Sequence, residues 1–192
     1  MFIAQMFCYG KDGLTVGVDG IRGCMGVFLH YGNMLYAIHL PDNPNKNKLG
    51  RDTFCDFVQA EIADLNGANA SLYAVLNNNN RPDFLEELRD IGTMLKVQNA
   101  TIVRVMDHLP KQGALKEPAA AAVLLDRVHG GTCVLKYQDA NKVKWEPGGT
   151  ARSGYYHNGS FTDSVKTSGA VSHGWHLVNA QNSSIRSSRL YA

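Results

Sequence analysis

Cys24-Met25-Gly26-Val27-Phe28-Leu29-His30-Tyr31 and Met34-Leu35-Tyr36-Ala37-Ile38-His39-Leu40, joined by Gly32-Asn33, form the stretch on which the fold turns. Two apolar runs separated by two turn-forming residues read as a β-hairpin. With Gly32-Asn33 as the whole loop, Tyr31 faces Met34 and the pairing runs outward to Met25 opposite Leu40. Composition supports that register. Met25, Val27, Leu29, Tyr31, Met34, Tyr36, Ile38 and Leu40 fall on one face, an unbroken apolar surface fit for a core. Cys24, Gly26, Phe28, His30, Leu35, Ala37 and His39 take the other face. A loop one residue longer or shorter would move His39 to the wrong side.

Outward from the hairpin, Thr15 to Val18 is a short β-like run ending at Asp19-Gly20, and Pro41-Asp42-Asn43-Pro44 terminates the second strand. Asp52 or Thr53 is expected to cap a helix in which Phe54, Phe57, Val58, Ile62 and Leu65 keep helical spacing until Gly67. Ser71 to Leu76 reads as a buried strand and Asn77 to Asn80 as a polar loop. Pro82 opens a second helix whose stripe is Phe84, Leu88, Ile91 and Leu95. Thr101 to Met106 is another strand, so this strand, helix, strand unit predicts a parallel pair. Ala119 to Val128 is predicted to be a short helix, Thr132 to Tyr137 a strand, and Gly154 to Thr162 a hairpin about Asn158-Gly159. Past Gly148 the chain is rich in Ser, Gly and Asn, which suggests loops between short strands or a loose tail. The expected fold class is α+β: a mixed β-sheet or β-sandwich core, with the hairpin carrying the site, flanked by two main helices, in a single domain over residues 1–192.

At 192 residues, with 44% hydrophobic and 19% charged residues, the chain can bury a sizeable core. A net charge of +2 with scattered Lys and Arg argues against nucleic acid and leaves a protein or small-molecule partner as the default, the resemblance described below narrowing it to a protein substrate. No stretch reaches the roughly 18 apolar residues needed to span a bilayer. The N-terminus lacks the basic lead and apolar core of a signal peptide, so the chain is expected to be made in the cytoplasm, with delivery into another cell left open. Cys8, Cys24, Cys55 and Cys133 lie far apart with no Cys-x-x-Cys pair, which argues against zinc and against a disulfide framework; no metal and no cofactor are expected.

In the hairpin register His39 lies across from Gly26, and Cys24 is its diagonal neighbour, with Cα atoms roughly 7 to 8 Å apart. Gly26 has no side chain, so the imidazole has room to lean toward the thiol. A thiol is mostly protonated at neutral pH, and an adjacent imidazole can hold the pair as thiolate and imidazolium. Gly23 precedes the sulfur at the strand start, where backbone N–H groups can face a developing oxyanion. Against this stands coincidence, because free cysteines are among the most buried residues.

Gly23-Cys24, the strand after it, and Ala37-Ile38-His39-Leu40-Pro41 resemble the Gly-Cys and His-x-x-Pro region of the chemotaxis receptor glutamine deamidases. The polar loop, the helix from Asp52, the Gly67-Ala68 break and the Ser71 to Leu76 strand follow in similar order. The same pair marks the glutamine-deamidating toxins that resemble cytotoxic necrotizing factor. The resemblance covers residues 15–106. It implies that Cys24 attacks a glutamine side-chain amide and that His39 activates it. Where many members carry a threonine that orients the histidine, this sequence has Val18, whose backbone carbonyl would have to serve; Thr15 is a weaker candidate. Asn77 to Asn80 replace a glycine-rich segment of the chemotaxis enzymes, which favours a toxin or effector-like deamidase over a receptor-modifying one. Another cysteine amidase or protease, and a non-catalytic binding module, are the alternatives.

His173-Gly174-Trp175-His176 lacks a third ligand nearby and is read as ordinary surface or core. His30 is expected to be solvated at the turn, Cys55 and Cys133 to be structural, and Cys8 to sit near a mobile terminus.

Overall fold

The computed structural model describes residues 1–76, 84–105, 109, 111–112, 117–155, 161–171 and 174–191. In chain order the strands and helices are β1 (Phe2–Ala4), β2 (Cys8–Asp12), β3 (Thr15–Ile21), β4 (Met25–Tyr31), β5 (Met34–Leu40), α1 (Pro44–Glu61), β6 (Ala70–Leu76), α2 (Phe84–Met94) and β7 (Asn99–Arg104). Then come β8 (Lys111–Gln112), β9 (Glu117–Pro118), β10 (Ala121–Arg127), β11 (Cys133–Asp139), β12 (Lys144–Tyr155), β13 (Phe161–Val171), β14 (His176–Leu177) and β15 (Ser184–Arg189).

β4 and β5 pair in the register read from the sequence, from Tyr31 opposite Met34 to Met25 opposite Leu40. They lie inside an eight-stranded mixed sheet of order β13-β12-β2-β5-β4-β6-β7-β15. β6 and β7 are the expected parallel pair around α2. The face bearing Met25, Val27, Leu29, Tyr36, Ile38 and Leu40 packs under both helices, against Phe54, Val58, Phe84, Leu88, Ile91 and Leu95. The fold is therefore α+β with a mixed-sheet core flanked by two helices.

The other hairpin face is covered too. Phe28, Leu35 and Ala37 pack against Val16, Val18, Ile21, Val123, Leu125 and Tyr137 of a five-stranded sheet of order β1-β3-β10-β11-β14. This sheet holds the main departure from the sequence expectations. Residues 119–128, expected to be helical, contain β10, paired with β3 on one side and β11 on the other. Ala121 to Leu125 are all buried. A short apolar run buried on both faces carries neither strand alternation nor helical spacing, and its alanines tilt the reading toward helix.

Three boundaries also move. β3 runs past Gly20 to Ile21 through a register shift against β10, with Gly20 at φ +78°. The extra residue keeps Ile21 on the inner face with Val18. α1 begins at Pro44, well before Asp52: proline suits the first helical position, and the Asn43 carbonyl accepts from the Asn47 N–H at 3.0 Å. It ends at Glu61, and Gly67 instead opens a short 3-10 turn capped by Asn66. The stretch past Gly148 continues as the long β12–β13 pair. Pro82 and Asn77 to Asn80 lie outside the described residues, as does the Asn158-Gly159 turn.

Candidate functional site

Cys24 sits in the bend between β3 and β4, where the chain leaves the five-stranded sheet and enters the eight-stranded one. Its side chain is half-buried. His39 is the penultimate residue of β5, opposite Gly26, with only 1% of its surface exposed. The hairpin ladder ends at Met25 opposite Leu40, so Cys24 stands one residue beyond it, at the same end of the sheet as His39.

One expectation about this site changes. The space above Gly26 is not left for the imidazole: a Cβ there would lie 2.9 Å from Ile21 Cδ1, 3.2 Å from Phe28 Cε2 and 3.3 Å from Val18 Cγ2. Ile21 and Val18 reach across from the second sheet and roof the glycine, so the inner face is a closed core and not an open groove. Val18 uses its side chain for that contact, while its backbone stands in the ladder between Ala4 and Val123. Thr15 is also engaged elsewhere: its hydroxyl donates to Asp126 Oδ1 at 2.9 Å.

Gly23, the expected oxyanion position, is half-buried next to the sulfur. A Cβ on it would lie 3.9 Å from Asp42 Oδ2, so an exposed carboxylate flanks the entrance. Asp19, on β3 ahead of the bend, accepts from Trp145 Nε1 at 2.8 Å. Burial pushes its carboxyl up, against the opposing effect of the Trp145 and Gly20 N–H groups.

The remaining thiols differ from Cys24. Cys55 is fully buried in α1 and its thiol is pushed up to about 12, by burial first and then by Asp52 and Asp56. Burial also raises Cys133, with Arg127 opposing. Cys8 is not on a loose terminus: β1 pairs with β3, β2 pairs with β5, and Cys8 opens β2 with 6% exposure. Its strand pairs with β5 from Tyr9 opposite Ile38 onward, a pairing between distant strands that the sequence reading missed. The available signal was the alternation Cys8-Tyr9-Gly10 ahead of the hairpin.

His30 Nε2 lies 3.0 Å from the Gly32 carbonyl at the turn. His176 stacks against Tyr137 with ring centres 5.4 Å apart, and His173 lies outside the described residues. A groove of about 630 Å³ lined by Leu65, Gly67, Lys96 and Asn99 lies at the other end of the sheet, beyond Ala70 of β6. No helix among the described residues is long and apolar enough to cross a membrane.

Compared with known proteins, the chain matches no family model and no curated sequence.

Proposed function

We propose that the protein is a glutamine deamidase acting on other proteins, with Cys24 as nucleophile and His39 as its base. The single observation that supports this is a half-buried thiol one residue before β4, at the same end of the hairpin as the buried imidazole of β5. A nucleophile at the mouth of a bend suits a side chain presented by a folded partner. The thiolate attacks the amide carbon of glutamine, and the C–N bond breaks as His39 hands its proton to the leaving ammonia. Water, deprotonated by the same imidazole, then hydrolyses the thioester to glutamate and frees the sulfur. The Gly23–Cys24 backbone would supply the N–H groups that meet the oxyanion. Resemblance to the chemotaxis and necrotizing-factor deamidases adds support, and the asparagine run at 77–80 favours the toxin or effector type.

The test is peptide mass spectrometry on candidate proteins incubated with wild type, Cys24→Ser and His39→Gln. Conversion of glutamine to glutamate without fragmentation, lost with Cys24→Ser and lowered about 10²- to 10⁴-fold with His39→Gln, is expected. Backbone cleavage would make it a protease, and conversion that survives Cys24→Ser would remove the proposal.

A further inference from the structure

We infer that the outer edge of β15 is a docking site for an extended, acidic segment of a partner protein, which adds to the eight-stranded sheet as a further strand. The inference does not depend on the deamidase proposal. β15 ends the sheet order and, among the described strands, pairs only with β7. Its register against β7 runs without a break from Ser184 opposite Arg104 to Arg189 opposite Asn99. Five of its six residues are exposed and Ser188 is half-buried, so neither face of the strand is covered. A bare strand edge is a template for another chain, and proteins commonly blunt one with a bulge, a proline or a covering loop. Ser184-Ile185-Arg186-Ser187-Ser188-Arg189 has no bulge and no proline.

The open backbone groups follow from the ladder. The Leu190 N–H donates to the Gln98 carbonyl at 2.8 Å, one step beyond Arg189 opposite Asn99. Residues that bond to the neighbouring strand alternate in an antiparallel pair, so Ser188, Arg186 and Ser184 also turn their backbone toward β7. Ile185, Ser187 and Arg189 aim N–H and C=O outward, where an incoming strand can pair with all three.

Charge decides the occupant. Arg186 and Arg189 are the only charged residues of β15. Arg104 of β7 lies diagonal to Arg186 on the same face, and both guanidinium groups sit over the Phe84 ring, at 5.6 and 5.7 Å from its centre. A second copy joined edge to edge would bring the arginines of two β15 strands onto one seam with no carboxylate from either. Like charges across such a pair are destabilising, whereas opposite charges are favourable. Arg186 and Arg189 are three residues apart and so face opposite sides, and Ile185, 44% exposed, lies beside Arg186. The complementary antiparallel segment is therefore acid-x-x-acid-apolar, its acids opposite Arg189 and Arg186 and its apolar residue opposite Ile185.

The test titrates the full chain against a dye-labelled peptide, Thr-Val-Glu-Thr-Thr-Glu-Val-Thr, and against its twin with Lys in place of both Glu, by fluorescence anisotropy. The Glu peptide is expected to bind about tenfold or more tighter than the Lys peptide, and to weaken about tenfold with Arg186→Glu. Ser187→Pro removes an outward N–H and spares the ladder to β7, so it should abolish binding while its thermal melt matches wild type. Should the proline variant melt below assay temperature, Arg186→Glu combined with Arg189→Glu takes its place and should reverse the preference toward the Lys peptide. Equal binding of the two peptides, no binding of either, or undiminished binding by a folded Ser187→Pro would overturn the inference. So would a dimer in sedimentation velocity that Ser187→Pro dissolves, since the edge would then belong to a second copy.

Discussion

At the residue scale, burial sorts the four thiols. A positive imidazolium at a site with 1% exposure is costly unless an opposite charge forms beside it. In the proposed mechanism proton transfer from Cys24 would supply that charge, so that thiolate and imidazolium arise together. Cys55 lies buried in α1 near Asp52 and Asp56, and its thiol stands at about 12, raised chiefly by burial. Iodoacetamide at mildly alkaline pH is therefore expected to modify Cys24 first, Cys133 more slowly, and Cys55 only on unfolding; peptide mapping of a time course shows the order. Labelling of Cys55 as fast as Cys24 would contradict it. Asp19 offers a second check. Its carboxyl is raised by burial, so below the ordinary carboxylate value both folded and unfolded chains hold the proton and no penalty exists. As pH rises the unfolded chain ionises first, and the folded state loses stability until pH passes the folded value. Asp19→Asn, which can still accept from Trp145, should match wild type in urea midpoint at the acid end and exceed it increasingly through that window. A gap that closes as pH rises would mean that the charged form is favoured in the fold.

At the element scale, two glycines hold elements at close approach. A Cβ on Gly26 meets Ile21 and Val18 side chains, which can shift, so Gly26→Ala should cost about 1–3 kcal/mol in urea unfolding. A Cβ on Gly67 would lie 1.7 Å from the Lys96 carbonyl oxygen, a backbone atom with little freedom to move, so Gly67→Ala is expected to cost more than Gly26→Ala. The opposite ranking would show that the loop at 67 yields more readily than the sheet contact. These elements were legible in the sequence to different depths. The hairpin register could be read because a slip of one residue would have exposed an apolar face, and the α2 stripe because Phe84, Leu88, Ile91 and Leu95 keep helical spacing. β10 could not be read, since Ala121 to Leu125 lie buried between two neighbours and two layers, which erases periodicity. The early start of α1 was masked by Pro44, which ends a strand and opens a helix with equal ease.

At the scale of the whole molecule, one sheet serves two cores. The helix side was visible in the sequence; the second layer was not, because its strands come from the two ends of the described chain and meet only in space. For the same reason the register that sets His39 opposite Gly26, local to one hairpin, could be read from sequence, whereas the pairing of β2 with β5 could not. β1 seals the second core: the Phe2 ring lies where a Cβ on Gly10 would come within 2.6 Å of it. Phe2→Ala should cost about 3–5 kcal/mol and be seen as a lower urea midpoint. A loss below about 1 kcal/mol would mean that neighbouring side chains collapse into the space.

The bend at 22–24 gives this architecture a mechanical property. The sulfur stands where the chain crosses from one layer to the other, while the ring is held inside one of them. The iodoacetamide rate at Cys24, followed through mild urea, is therefore expected to rise before the unfolding transition if the two layers part before either core melts.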